Sequence, residues 1–80
     1  MAPDEITQRL TEVFRTIFRN RELVLSDELT ARDVPGWDSL NHVNLMISTE
    51  EEFGIRFQTR EISGLQNVGE LKSLIAKKLP

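Results

Sequence analysis

Ile6, Leu10, Val13, Phe14, Ile17 and Phe18 recur at steps of four, three, one, three and one, which sets all six along one stripe of a helix over about residues 5–19. A helix with a single apolar stripe is stable only when that stripe is covered, so the rest of the chain must supply the cover. Pro3, Asp4 and Glu5 suit the first turn, where a missing N–H costs nothing and negative charge meets the positive end of the helix dipole. Two later stretches carry the same period. Asp38 is an N-cap candidate, and Leu40, Val43, Met46 or Ile47, and Phe53 keep helical spacing up to Gly54, a natural stop, so a second helix is predicted over about residues 38–53. The last helix is predicted to start at Asn67, where Glu70 completes an N-x-x-E analogue of the capping box, and to bury Val68, Leu71, Leu74, Ile75 and Leu79.

Between the first two helices, Asn20 to Trp37 shows no long period, and an irregular stretch of this length in a small domain signals a function or a hidden short helix. Ser26-Asp27-Glu28-Leu29 reads as one helical turn capped by Ser26, with Leu23, Val24, Leu25, Leu29 and Val34 pinning the loop to the core. Val34-Pro35-Gly36 reads as a turn. Beyond Gly54, Ile55, Phe57 and Ile62 anchor a link in which Thr59 caps one turn over Arg60 to Ser63. The predicted fold is all-α: a small four-helix bundle of three longer helices and one short helix, with a long first loop, forming a single domain over residues 1–80. Leu25, Leu40, Val43, Ile47, Ile55, Phe57 and Ile62 are expected in the core.

A chain of 80 residues buries only about 60–65% of the surface its unfolded form exposes, which favours a surface-acting module over an enzyme with a deep cavity. It contains no Cys, so any thiol chemistry must come from an added group. Thirteen acidic against ten basic residues give a net charge of −3, which argues against nucleic-acid binding. No run approaches the ~20 apolar residues of a membrane span and the N-terminus carries no secretory pattern, so a soluble, cytoplasmic, monomeric protein is expected.

The most informative segment is Gly36-Trp37-Asp38-Ser39-Leu40, which puts the Ser39 hydroxyl at the first position of the second helix. A phosphodiester there would meet free backbone N–H groups at the positive end of the dipole, worth roughly 0.3–1 kcal/mol when exposed. By local chemistry alone, Asp38-Ser39 is also read as a plain helix start.

Asp38-Ser39-Leu40, the downstream Glu50-Glu51-Glu52-Phe53-Gly54, the long first loop and the order of helices together resemble the acyl and peptidyl carrier proteins over almost the whole chain. The resemblance implies that Ser39 bears a covalent phosphopantetheine arm, loaded from coenzyme A by a separate phosphopantetheinyl transferase whose magnesium ion Asp38 helps to bind. It implies further that the arm's thiol holds acyl groups as thioesters for acyl-loading, acyl-transferring or condensing enzymes, and that the carrier itself is no enzyme. In such proteins helix-two acids meet basic patches on partners, which assigns Glu50, Glu51 and Glu52 to docking; plain solvation is the other reading of these acids.

There is a departure from the fatty-acid carriers. Asn41, His42 and Asn44 stand where those usually place acids or small polar residues, and with Trp37 they look more like carriers of specialised polyketide, nonribosomal peptide or modified-acyl pathways. The expected partner contacts are therefore Trp37, Leu40, Asn41, His42, Asn44, Glu50, Glu51 and Glu52. Trp37 has a simpler reading as a cover for the mouth of the bundle. His42, three residues after Ser39, shares its helical face, but one His with no Gly-x-Ser-x-Gly elbow makes no hydrolase, and no second His or Cys completes a metal site. His42 is expected to be a surface or partner-contact residue. The alternatives to an acyl carrier are an aminoacyl carrier and a helical docking module of the same fold that never receives an arm.

Overall fold

In the computed structural model, which describes residues 1–80, α1 runs Pro3–Ile17, α2 Ser39–Phe53, α3 Thr59–Ser63 and α4 Val68–Lys78. A one-turn 3-10 helix, Ala31–Asp33, interrupts the long first loop, so the chain is the expected all-α bundle of three longer helices and one short one. α1 ends two residues before the predicted boundary, because Arg19 takes a left-handed φ of 53° and Asn20 N–H bonds back to the Arg15 carbonyl at 3.1 Å. That bond satisfies a carbonyl the helix end would otherwise leave orphaned.

Ile6, Leu10, Val13 and Phe14 of α1 meet Leu45, Met46 and Phe53 of α2, Ile55 of the link, and Val68, Leu71 and Ile75 of α4 in one core. α1 is the central layer, packed on both α2 and α4. α2 buries Met46 and Phe53 of the predicted stripe, but not Leu40, Val43 or Ile47. Leu40, Val43 and Ile47 are 70%, 52% and 49% exposed, while Leu45, Met46, Thr49 and Phe53 are buried. The helix carries apolar residues on two faces, and the inner one hides a residue that reads as polar: Thr49, whose hydroxyl donates to the Leu45 carbonyl at 2.7 Å. Leu25, Phe57 and Ile62 pack on the core edge as expected, and Ile55 is buried.

The first loop is tied down by backbone groups. Val68 N–H donates to the Leu29 carbonyl at 3.0 Å and Gly69 N–H to the Asp27 carbonyl at 2.9 Å, so the free amides at the start of α4 are satisfied by the loop. Gly69 suits this close approach, since a Cβ there would lie 3.0 Å from Asp27 Cβ and 3.1 Å from its carbonyl oxygen and would push the loop away by a few tenths of an ångström. Lys72 Nζ adds an ion pair to Asp27 at 2.8 Å, and Arg15 Nε donates to the Leu23 carbonyl at 2.8 Å. Ser26 caps no helix: residues 26–29 form only a turn, and the helical turn falls later, where Asp33 accepts from both the N–H and the hydroxyl of Thr30. α3 is likewise capped one residue before the predicted Thr59, by Gln58, whose N–H donates to Glu61 at 2.7 Å. At α4, Asn67 caps as predicted, but Glu70 reaches back to the N–H of Gln66.

This packing predicts that Leu45→Ala lowers stability by about 2–5 kcal/mol, whereas Leu40→Ala stays within about 0.5 kcal/mol. Urea denaturation midpoints compare the two, and a lower midpoint for Leu40→Ala than for Leu45→Ala would mean that α2 is rolled the other way.

Candidate functional site

Val34-Pro35-Gly36-Trp37 forms a tight turn: Trp37 N–H donates to the Val34 carbonyl at 3.1 Å, and Gly36 takes a φ of 89° that a side chain would strain. Buried Val34 fixes one end of the turn. Trp37 fixes the other, with its ring edge-on to Phe14 at 5.3 Å between centroids and tilted against Phe18 at 5.8 Å. The chain then extends through Asp38 and enters α2 at Ser39. Asp38 is the predicted N-cap: its Oδ1 accepts from Asn41 N–H at 2.8 Å, and its carbonyl accepts from His42 N–H at 2.8 Å.

Ser39 is exposed and its hydroxyl engages no protein group. The N–H groups of Ser39 and Leu40 find no acceptor in the chain, so an oxygen ester at Ser39 would have two donors and the positive end of a 15-residue helix beside it. A shallow cleft lined by Ala31, Trp37, Asp38, Ser39 and His42 adjoins the hydroxyl.

The other expected contact residues divide into two groups. Asn41 braces the turn, its Nδ2 donating to the Gly36 carbonyl at 2.7 Å. His42 is no ordinary surface residue. It is half-buried between Trp37 Nε1, 3.0 Å from its Nδ1, and the Ile62 carbonyl, 3.2 Å from its Nε2. Glu50 accepts from Phe57 N–H at 2.7 Å and so holds the link after α2, while Glu52 pairs with Arg9 Nε at 2.7 Å. The same Arg9 guanidinium lies over the Phe53 ring, 5.1 Å from its centroid. Of the three acids, Glu51 alone makes neither a hydrogen bond nor an ion pair. Leu40, Asn44 and Glu51 are exposed, joined by Val43 and Ile47, whose spacing along the chain predicts a core position because nothing in it marks them as outward.

Opposite His42, α3 is clamped by Glu61, which accepts from Gln58 N–H and pairs with Lys78 of α4 at 2.9 Å. The Gln58 N–H, and after it the Lys78 ammonium, hold the Glu61 carboxyl below its ordinary value of 4.5. No group of three or more His, Cys, Asp or Glu is placed to hold a metal ion.

The bundle gives its core over to packing and leaves the Ser39 hydroxyl unengaged on the surface at the start of α2. No protein-family model matches the chain. The solution structure of a holo acyl carrier protein from Geobacter metallireducens superposes with a TM-score of 0.84 at 42% identity, covering 90% of this chain and 83% of that one. The mitochondrial acyl carrier protein of Saccharomyces cerevisiae is 28% identical over 95% of this chain, which spans 64% of the yeast protein's length. An acyl carrier protein of Thermotoga maritima is 29% identical over 95% of this chain and 94% of its own. The chain belongs to the acyl carrier protein family, and it is a carrier, not an enzyme.

The Glu61 clamp gives a pH signature. A carboxyl held below its ordinary value stabilises the fold fully above about pH 4.5 and loses that contribution as the pH falls through the lowered value. Glu61→Gln should therefore flatten the decline of Tm between about pH 5 and pH 3, measured by thermal melts of both proteins. A parallel decline would show that the clamp does not hold in solution.

Proposed function

We propose that residues 1–80 act as one monomeric carrier domain in which Ser39 bears phosphopantetheine. A phosphopantetheinyl transferase would join the arm's phosphate to Ser39 Oγ, with adenosine 3′,5′-bisphosphate leaving from coenzyme A and the serine proton passing to solvent. The observation that carries this reading is the Ser39 hydroxyl itself, exposed and unengaged at the first position of α2 with two free N–H donors beside it. The Asp38 carboxylate, committed to Asn41 through Oδ1, keeps Oδ2 for the transferase's magnesium ion. The arm would supply the thiol that the cysteine-free chain lacks, to hold acyl groups as thioesters.

A specialised acyl or polyketide-type pathway is part of the same reading, supported by the uncharged upper half of α2 at Asn41, His42 and Asn44. Work in the cytoplasm is proposed as well; no helix is long and apolar enough to cross a membrane, and one relative is named as mitochondrial. Docking of acyl-handling enzymes is assigned to the outer face of α2: Leu40, Val43, Asn44, Ile47 and Glu51. Glu50 and Glu52 contribute less charge to a partner than their sequence suggests, because Phe57 N–H and Arg9 already engage them.

Incubation with coenzyme A, magnesium and a broad-specificity transferase should add the mass of one arm to the wild type and nothing to Ser39→Ala. An arm mapped to Ser26, Ser48, Ser63 or Ser73, or no gain with several active transferases, would overturn the assignment. For docking, Leu40→Ala should weaken capture by a cognate enzyme more than Glu51→Lys does. Raising salt from about 0.1 M to 1 M, where the Debye length falls from about 10 Å to about 3 Å, should change the association rate only modestly. A steep salt dependence, or a dominant effect of Glu51→Lys, would return the docking role to the acids.

A further inference from the structure

Behind the cleft at Ser39 lies a small hollow of about 50 Å³, lined by Ala31, Met46, Leu65, Gln66, Asn67 and Leu71 besides Trp37 and His42. The cleft shares Ala31, Trp37 and His42 with it. The two rings are therefore the wall between these spaces. They are stacked, with centroids 6.1 Å apart and planes 22° apart. An alkyl chain carried from Ser39 would be drawn by its own hydrophobicity toward the hollow, and the wall stands in its way.

The wall is fastened at both rings. Indole Nε1–H donates to His42 Nδ1 at 3.0 Å, and His42 Nε2 meets the Ile62 carbonyl at 3.2 Å, so the imidazole is held through both nitrogens. Trp37 is seated on Phe14 and Phe18, with ring centroids 5.3 and 5.8 Å from its own. Ile62 belongs to α3, which Glu61 ties to Lys78 of α4 at 2.9 Å. A chain passing between the rings would break the indole–imidazole bond and leave two part-buried polar groups without partners. The space beyond is also small. At about 10–15 Å³ for each water-sized group, a hollow of about 50 Å³ holds about three to five of them. An octanoyl chain, whose methylenes are each similar in size to a water molecule, does not fit.

We infer that Trp37 and His42 are specificity-determining residues for the cargo: their hydrogen-bonded rings bar an acyl chain from the hollow, so the cargo stays outside the bundle and the carrier suits short or polar acyl groups, not long alkyl chains. The inference rests on the reading that Ser39 bears the arm. A polar acyl group gains nothing from an apolar hollow, and a short one has little surface to bury, so neither loses by staying outside. A long alkyl chain is left in water.

The test loads the whole chain from coenzyme A, acetyl-coenzyme A or octanoyl-coenzyme A with a broad-specificity transferase, each product confirmed by its mass. The methyl signals of Met46, Leu65 and Leu71 are then read by ¹H–¹³C NMR, and Tm by thermal melts. In the wild type these methyls should take the same positions with octanoyl as with acetyl cargo, and the two forms should melt together. His42→Ala and Trp37→Ala each remove one ring of the wall. In either variant the octanoyl form should shift the methyls of the hollow and melt higher than the acetyl form, whereas a merely structural role for the rings would change both forms alike. Should one variant fail to fold, the other carries the comparison. Hollow methyls that shift with octanoyl cargo in the wild type, or a folded variant with no chain-length response, would overturn the inference and leave the Ser39 reading intact. No gain in mass on the wild type would overturn both.

Discussion

The setting of α2 about its own axis is the constraint on which the rest depends. Successive residues of a helix are turned by about 100°, so burying Leu45, Met46, Thr49 and Phe53 leaves no freedom over where the other residues point. Leu40, Val43 and Ile47 are turned outward by that choice, as is Glu51. Three large apolar side chains are thereby left in water on one side of a small bundle. The same rotation brings His42 inward to Trp37 and Ile62 and leaves Ser39 at the rim.

The start of α2, where Ser39 stands, is held from three sides. The turn at Gly36 is braced by Asn41, Trp37 is seated on two phenylalanines, and Asp38 fixes the first turn through Asn41 N–H. The long first loop gains its order from α4, whose leading amides bond to Leu29 and Asp27 carbonyls. Few side chains of the loop are buried, so these backbone bonds and the Lys72 ion pair offset much of the entropy of ordering it. A carrier built this way keeps its core for packing and its chemistry for whatever is attached outside.

Charge on the molecule is committed more than its composition suggests. Arg9 gathers Glu5 and Glu52 on one side of the bundle, Arg21 pairs with Glu12, and Lys78 with Glu61. Exposed pairs of this kind contribute little stability, about 0–1 kcal/mol each. Their larger effect is on the outward field, since a carboxylate already facing a guanidinium attracts a distant partner weakly. An acidic run at the end of α2 is thus a poorer guide to docking than its letters imply.

The sequence by itself determined the longer helices and the place of Ser39 at the start of one of them. The period of α1, the Asp38 and Asn67 caps, the Val-Pro-Gly turn and the Gly54 stop are local devices, each fixed by neighbours within a few residues, and they put Ser39 at a helix start without reference to any other part of the chain. What only the tertiary structure decided is which side of α2 faces in. That helix is apolar on two faces, and period alone cannot rank Leu40, Val43 and Ile47 against Leu45, Met46 and Phe53, least of all with a buried Thr49 among the latter. The ranking comes from the shape that α1 and α4 leave between them, which involves residues up to 43 positions away, as the Arg9–Glu52 contact shows. The fates of His42 and Glu52 follow from the same cause: each has a partner in another element, 20 and 43 positions away, and a partner at that range is invisible to spacing along the chain.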